Sequence, residues 1–282
     1  MAAFRYVVVD VFTDTPLQGN QLAVFTDARE LSEEVLQPLA REINFSETVY
    51  VLPAEQGGSA RIRIFTPTSE LPFAGHPTLG TAFVLAAPLQ LDEVRLETLA
   101  GIIPVRLERD GPRISFGRME QVVPTVEPAA DGDALLEALR IERSELPIEV
   151  YDNGMKHAFV TLASPEEVAA VRPDLGALAD VLAGMGVSTI AGSDSSWKTR
   201  MFAPGSGVPE DPATGSAAGP LAVHLARHGR IGFGEEIEIS QGAEIGRPST
   251  LYARADGSPE GVERVEVGGS AVTVARGEFR LP

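Results

Sequence analysis

Three short stretches of the sequence each place an ionisable side chain among small or apolar residues. Glu47 lies in FSETVYV, His76 in GHPTLGTA and Asp211 in EDPATGSAAG. The apolar neighbours of Glu47 would exclude water from its carboxylate and raise its pKa, which suits a general base near neutral pH. An imidazole such as that of His76 can donate a hydrogen bond to an anion or shuttle a proton. The three side chains are therefore candidates for acid–base chemistry.

The stretch EDPATGSAAG has the features of a helix start. Asp211 is suited to the N-cap, since its carboxylate can accept a backbone N–H of the first turn, and Pro212 suits the first helical position. Apolar residues follow at helical spacing, and Gly229 is placed to end the helix. Gly215 and Ser216 are poorer helix formers than alanine. We interpret these two small residues as allowing a ligand to approach the backbone closely.

GHPTLGTA and EDPATGSA correspond position by position at an offset of 135 residues. At this offset His76 corresponds to Asp211, and Gly80 corresponds to Gly215. The same offset relates the strand-like segments LAVFT and HAFVT, so an internal duplication is predicted. An alternative role for the two glycines, which involves no ligand, is to let two central helices pack closely.

The two matching stretches predict two helix N-termini, at His76 and at Asp211. The first turn of a helix carries N–H groups without intrahelical partners, together with a partial positive charge. An anion site is therefore predicted in this otherwise acidic chain. Its contacts would come from Gly75, His76, Gly215 and Ser216.

The composition excludes several classes of protein. The 282 residues include 23 basic and 40 acidic side chains, for a net charge of −17, and no cysteine. Such a chain lacks the basic surface that nucleic acids and anionic membranes require, and no apolar run is long enough to span a bilayer. The lack of cysteine excludes disulfides, thiolate metal ligands and a cysteine base. Because no signal peptide is visible, the sequence predicts a cytoplasmic protein.

Strand-like segments dominate both halves of the chain. In the first half, FRYVVVDVF, QLAVFTD, TVYVLP and RIRIFT accompany a helix over SEEVLQPLAREI that is interrupted at Pro38. The second half has a comparable order, with a longer helix predicted over Glu166–Ala183. Strands with only a few helices indicate the α+β class. A stretch rich in turn residues predicts a domain boundary that divides the chain into residues 1–118 and 119–282. The last strand of the chain could pack back on the first domain.

Three longer blocks, NFSETVYV, FTPTSELPFAGHPTLGTA and RMFAPGSGVPEDPATGSAAGPLA, resemble the PhzF-like family of phenazine biosynthesis isomerases, within the diaminopimelate-epimerase-like superfamily. The resemblance implies two pseudo-symmetric domains, each a barrel-like mixed β-sheet around a central α-helix. It also implies a homodimer, an active site in the cleft between the domains and no cofactor. The family's functional residues fall on Glu47, His76, Asp211 and Ser216. By the same resemblance, Asp211 holds the amino or hydroxyl group of the substrate and Ser216 its carboxylate.

The function implied is a cofactor-independent isomerase of a small carboxylate, of the trans-2,3-dihydro-3-hydroxyanthranilate isomerase type. The offset of 135 carries Glu47 into VLAGMGVSTI, residues 181–190, which contains no ionisable side chain. A single base is therefore predicted, and it would return the proton to the same face of the substrate at another carbon. Two alternatives are an amino-acid racemase or epimerase on the same fold, and a family member that binds a metabolite without catalysis.

Metals and nucleotide cofactors have little support in the sequence. His224 and His228 lie four residues apart, a spacing that can place two metal ligands on one helix face. No third ligand accompanies them in the sequence, so no metal site is predicted. Neither a Walker loop nor the pattern G-x-G-x-x-G occurs, and no nucleotide cofactor is expected.

Overall fold

The computed structural model describes residues 2–281, which form two compact units. The first consists of the residues up to Glu120 together with those from Gly268 onward, and the second of Gln121–Val267. The division thus falls two residues after the position read from the sequence, and the last strand belongs to the first unit. No helix among residues 2–281 is long and apolar enough to cross a membrane.

The first unit is a mixed sheet with two helices. Its strands are β1 (Ala2–Val11), β2 (Asn20–Phe25), β3 (Glu47–Leu52), β4 (Ala60–Phe65), β5 (Glu70–Leu71), β6 (Glu93–Thr98), β7 (Gly101–Asp110), β8 (Arg113–Gln121) and the last strand of the chain, β18 (Ala271–Leu281). Its helices are α1 (Glu33–Ile43) and α2 (Gly75–Leu89). Strand β1 pairs antiparallel with both β18 and β2, and β2 pairs parallel with β3. Strand β4 continues the sheet antiparallel to β3 and parallel to β6.

Helix α2 is the central helix of this unit. It contacts strands β1, β2, β3, β6, β7 and β18, and most of its residues are buried around its whole circumference. Such a helix belongs in the interior of a curled sheet. A Cβ on Gly80 would lie 2.7 Å from Val11 Cγ2 and 2.8 Å from Leu22 Cδ2, so glycine is needed for close packing against β1 and β2. Gly80 therefore has a packing role, but its close contacts are with strands β1 and β2 rather than with the other central helix.

The second unit contains nine strands and four helices among the described residues. The strands are β9 (Thr125–Pro128), β10 (Glu149–Asp152), β11 (Lys156–Thr161), β12 (Gly186–Ser193), β13 (Ser196–Ala203), β14 (Val208–Asp211), β15 (Glu236–Gln241), β16 (Ser249–Ser258) and β17 (Gly261–Gly269). The helices are α3 (Gly132–Leu139), α4 (Pro165–Ala170), α5 (Leu175–Leu182) and α6 (Gly215–Arg227). Each unit is α+β, as predicted, with α6 buried along nearly its whole length.

The strand pairings of the second unit repeat those of the first. Strand β11 pairs antiparallel with β10 and parallel with β12, as β2 does with β1 and β3. Strand β13 pairs antiparallel with β12 and β14 and parallel with β15, as β4 does with β3, β5 and β6. The two units thus share one order of strand pairing, which agrees with the duplication predicted from the offset between LAVFT and HAFVT.

The prediction of one long helix over Glu166–Ala183 is wrong. The segment instead forms two helices, α4 and α5, with Pro173 between them. Proline cannot donate a backbone hydrogen bond and disfavours a helical residue before it. Each new helix start is capped: Ser164 Oγ accepts from the N–H of Glu167, and Asp174 Oδ1 accepts from the N–H groups that begin α5. The predicted interruption of α1 at Pro38 is also wrong, since that helix continues to Ile43.

Candidate active site

Glu47 is the first residue of β3 and follows helix α1. Asn44 is the C-cap of this helix, and its left-handed backbone (φ 55°) turns the chain toward the strand. Leu22 of β2 is the parallel partner of Glu47, and Val49 and Tyr50 beyond it are fully buried. The carboxylate itself is only 13% exposed. Glu47 thus presents its carboxylate at the edge of an apolar core.

His76 lies in the first turn of α2, beside Glu47. The helix begins at Gly75 with Ala74 at the N-cap, so His76 is the second helical residue. Its Nε2 lies 3.2 Å from Oε2 of Glu47, in a contact that lacks the alignment of a hydrogen bond. Such contacts in active sites often align only when substrate is bound. The Asn20 amide nitrogen lies 3.2 Å from Nδ1, which makes Nδ1 the acceptor and places the proton on Nε2, toward Glu47.

Burial keeps His76 uncharged. The side chain is 3% exposed, and the resulting desolvation lowers its pKa to about 3, against a smaller opposing effect of a backbone hydrogen bond with Gln21. At neutral pH the imidazole is therefore a neutral N–H donor facing Glu47. Of the two side chains, the carboxylate is therefore the candidate for accepting a proton at neutral pH.

Asp211 is not the N-cap of the following helix, so that prediction is wrong. It is the last residue of β14 and pairs with Met201 of β13, which keeps its backbone extended. Helix α6 begins four residues later, at Gly215, with Thr214 at the N-cap. The Asp211 carboxylate instead accepts a 2.6 Å hydrogen bond from Oγ1 of Thr214, and Gln241 Nε2 donates to the Asp211 carbonyl at 2.8 Å. These bonds fix the loop between strand and helix.

Arg200 anchors the strand that carries Asp211. Its guanidinium makes a bidentate pair with Glu210 at 2.8 Å for both bonds, and the two side chains are 6% and 12% exposed. The same guanidinium donates to the carbonyls of Val168, Ala169 and Val171 at the end of α4. Both members of the acidic pair therefore have structural partners, since Glu210 is paired with Arg200 and Asp211 accepts from Thr214.

Gly215 and Ser216 form the first turn of α6, where side-chain amides bind their carbonyls. Gln121 Nε2 donates to the Gly215 carbonyl at 2.8 Å, and Asn153 Nδ2 donates to the Ser216 carbonyl at 2.9 Å. The second bond compensates for Pro220, which lacks the N–H that would otherwise reach the Ser216 carbonyl within the helix. The helix start is thus held by the side chains of Gln121 and Asn153 rather than by a capping side chain.

His157 is a buried imidazole that the sequence reasoning did not single out as functional. Its Nε2 lies 3.0 Å from Oγ of Ser216, and desolvation lowers its pKa to about 4. It pairs in register with Gly186, whose added Cβ would lie 3.0 Å from Nδ1 of His157 and 2.4 Å from Met201 Cε. The one signal in the sequence was a histidine at the position where the matching strand of the first half has Leu22.

The two buried imidazoles predict a loss of stability as the pH falls. His76 and His157 have folded-state pKa values of about 3 and 4, below the value of about 6.5 expected in the unfolded chain. Below pH ~6.5 the unfolded chain therefore binds about one more proton per histidine than the folded chain does. The free energy of unfolding should consequently decrease as the pH is lowered. Urea unfolding between pH 5 and 7.5 measures this slope.

In the His76→Gln variant, the number of protons taken up on unfolding should be smaller by about one, since one buried imidazole is removed. The dependence of the free energy of unfolding on pH should be correspondingly weaker. A wild-type free energy of unfolding that stays constant from pH 7.5 to 5 would contradict the assignment of neutral, buried imidazoles.

The expectation that His224 and His228 lack a third ligand is wrong. Glu149, at the start of β10, lies 2.9 Å from Nε2 of His228 and 3.6 Å from Nδ1 of His224. The sequence could not show this because Glu149 precedes His228 by 79 residues.

The structure groups the predicted site residues within each unit. In the first unit, Gly75 and His76 begin α2 next to Glu47. In the second, Asp211 and Ser216 flank the start of α6. The first group is suited to proton transfer. The second offers a hydroxyl and the N–H groups of a first helical turn, which suit an anion.

Comparisons with known proteins agree with this description of the fold. The family model for phenazine biosynthesis-like protein, PhzC-PhzF, matches residues 9–277. The trans-2,3-dihydro-3-hydroxyanthranilate isomerase of Pseudomonas aeruginosa is 52% identical over 277 residues, covering 98% of this chain and 99% of the relative.

Solved structures extend the likeness to the fold. The phenazine biosynthesis protein of the PhzF family from Bacillus anthracis is 26% identical, with a TM-score of 0.86 and complete coverage of both chains. A hydroxyproline epimerase from Agrobacterium vitis shares the fold at 13% identity, with a TM-score of 0.68 over 98% of this chain and 92% of the other. The chain therefore belongs to the PhzC-PhzF family of phenazine biosynthesis-like proteins.

Proposed function

We propose that this protein is a cofactor-independent isomerase that shifts a proton and a double bond in a small carboxylate, with trans-2,3-dihydro-3-hydroxyanthranilate as substrate. The observation that carries the proposal is the buried contact between Glu47 and a neutral His76. It is supported by the relative that is 52% identical over nearly the full length of both chains. Incubation of the purified protein with this compound, followed by proton NMR, tests the proposal. Unchanged substrate would overturn it.

Glu47 moves the proton in this reaction. Its carboxylate takes the proton from the acidic C–H of the substrate, and the electron pair of that bond becomes part of a shifted double bond. The protonated Glu47 then returns the proton to the carbon at the other end of the shifted system, so that neither oxidant nor co-reactant is needed. His76, as a neutral N–H donor, orients the carboxylate while its charge changes.

The duplicated fold supports a single base. In the first unit Leu22 pairs with Glu47, and in the second unit the equivalent pair is His157 and Gly186. The counterpart of Glu47 is therefore a glycine, inside the segment in which the sequence showed no ionisable group. A side chain at that position would collide with the imidazole of His157. With one base, the proton returns on the face from which it was taken, as a double-bond shift requires and inversion at one carbon does not.

Ser216 is proposed to bind the substrate carboxylate. Its hydroxyl can donate to an anion when His157 Nε2–H donates to Ser216 Oγ, an arrangement that the 3.0 Å distance allows. The N–H groups of the first turn of α6 add the partial positive charge of a helix start. Asp211 is proposed to hold the amino or hydroxyl group of the same substrate.

The Ser216→Ala variant should bind an aromatic carboxylate more weakly by about 1–3 kcal/mol, the usual cost of removing one partner of a charged hydrogen bond. Isothermal titration with a substrate analogue measures the dissociation constant. Ser249→Ala is the matched control, because Ser249 is also buried in the second unit and its hydroxyl donates to the carbonyl of Arg247. Equal affinities for the two variants would remove Ser216 from the site.

The proposal includes a homodimer acting in the cytoplasm on a small anionic substrate, without nucleic acid, membrane or cofactor. The acidic composition and the family resemblance support this setting. Light scattering of the purified protein would measure the subunit number.

A further inference from the structure

A second group of side chains that could bind a ligand lies at the other end of α6. Glu149, His224 and His228, here called the histidine cluster, bring three ligand atoms within 4.8 Å of one another. Glu149 begins β10, His224 lies in the last turn of α6 and His228 directly follows that helix. His224 is two turns beyond Ser216, which is about 12 Å along a helix. The cluster is therefore separate from the residues assigned to the isomerase.

Both imidazoles approach the same carboxylate oxygen. Glu149 Oε2 lies 2.9 Å from Nε2 of His228 and 3.6 Å from Nδ1 of His224. Tyr151 donates its hydroxyl to the same oxygen at 2.7 Å. This hydrogen bond helps to orient the carboxylate, as outer partners of metal ligands do.

His224 is held rigidly with one nitrogen toward the cluster. The ring is completely buried, stacked on Phe159 at 5.4 Å and edge-on to Tyr151 at 5.5 Å. Its Nε2 has no hydrogen-bond partner among the described residues, so the polar contacts of this imidazole are made by Nδ1 toward Tyr151 and Glu149.

The donor set determines which ion would fit. Two imidazole nitrogens and one carboxylate oxygen suit Zn²⁺, whereas Mg²⁺ and Ca²⁺ require oxygen ligands. Three protein ligands leave a fourth position for water, and the partly exposed side chains of His228 and Glu149 provide access from solvent. We propose that the histidine cluster is a zinc site that fastens the start of β10 to the carboxyl end of α6. The ion there stabilises the fold and takes no part in the isomerisation.

Titration of the tag-free, metal-stripped protein with zinc sulfate tests the site. The wild type should bind one zinc per chain at the cluster and melt at a higher temperature with zinc present, because the ion binds the folded state. His228→Gln and Glu149→Gln should each weaken that binding at least about a hundredfold, since a direct ligand is lost. Arg227→Gln is the matched control, because Arg227 lies 3.9 Å from Glu149 Oε1 but cannot bind a metal.

His76→Gln and Ser216→Ala should retain the zinc, which separates this site from the proposed active site. X-ray absorption at the zinc edge of the wild type should show two imidazole ligands, and this result does not depend on how any variant folds. Absence of stoichiometric zinc in the wild type, or equal zinc affinity in His228→Gln and Arg227→Gln, would overturn the proposal. Loss of isomerase activity has no bearing on either outcome.

Discussion

Replacing Glu47 by glutamine is expected to slow isomerisation at least about a hundredfold, the low end of the contribution of general acid–base catalysis. Glutamine keeps the size and the polar contact with His76 but cannot accept and return a proton. The rate constant kcat, measured with trans-2,3-dihydro-3-hydroxyanthranilate, should fall while binding of a carboxylate analogue changes little. This division follows from the proposed roles, in which Glu47 acts on the reacting carbon and Ser216 binds the substrate carboxylate.

The matched control for this experiment is Glu42→Gln, which makes the same chemical change on an exposed residue of α1. Its kcat should equal that of the wild type. Turnover by Glu47→Gln within a few-fold of the control would show that Glu47 is not the base. A role for His76 as the base is already disfavoured, since its pKa of about 3 makes it a very weak one.

Replacing Arg200 by methionine is expected to destabilise the protein by about 3–5 kcal/mol, the cost of breaking a buried ion pair from one side. The change leaves the Glu210 carboxylate buried and unpaired. It also removes one of the donors to the carbonyls of Val168, Ala169 and Val171 at the end of α4. The free energy of urea unfolding at pH 7 measures the effect.

Arg143→Met provides the matched comparison, because Arg143 pairs with Glu145 at 3.0 Å but is 80% exposed. Exposed pairs contribute about 0–1 kcal/mol, so this variant should be nearly neutral. Combining Arg200→Met with Glu210→Gln should recover part of the loss by removing the uncompensated charge. Equal destabilisation by Arg200→Met and Arg143→Met would contradict the buried anchoring of β14.

Much of the fold follows from local sequence patterns. The segments FRYVVVDVF, QLAVFTD, TVYVLP and RIRIFT all form strands, because apolar residues there fit a sheet that is buried on one or both faces. The duplication was visible in the offset between two short stretches. The arrangement of each sheet around its helix came from the family resemblance, since pairing order is not a local property.

The helix start at Asp211 shows where local signals fail. An aspartate followed by proline satisfies the rules for a helix N-terminus, yet Asp211 remains in a strand because its backbone pairs with Met201. Pairing with the preceding strand, β13, outweighs a capping preference of about 1 kcal/mol. Helix α3 was not predicted, and only its first two residues, Gly132 and Asp133, lie in the turn-rich stretch that was interpreted as the domain boundary.

The supporting residues of the site could not be found from sequence spacing. Gln121, Asn153 and His157 lie 94, 63 and 59 residues from their hydrogen-bond partners in the first turn of α6. None of the three belongs to a periodic pattern that would reveal it. Glu47 and His76 were identified because their stretches resemble the family, and the structure adds the contact between them.

The most direct test of the central proposal is turnover of trans-2,3-dihydro-3-hydroxyanthranilate by the wild-type protein in deuterated water, with the product analysed by NMR. A single exchangeable base predicts an isomerised product that carries deuterium at the carbon that accepts the proton, on one face only. Recovery of unchanged substrate would identify a binding protein, and racemisation of a free amino acid would identify the epimerase alternative. Either result would contradict the one-base isomerase.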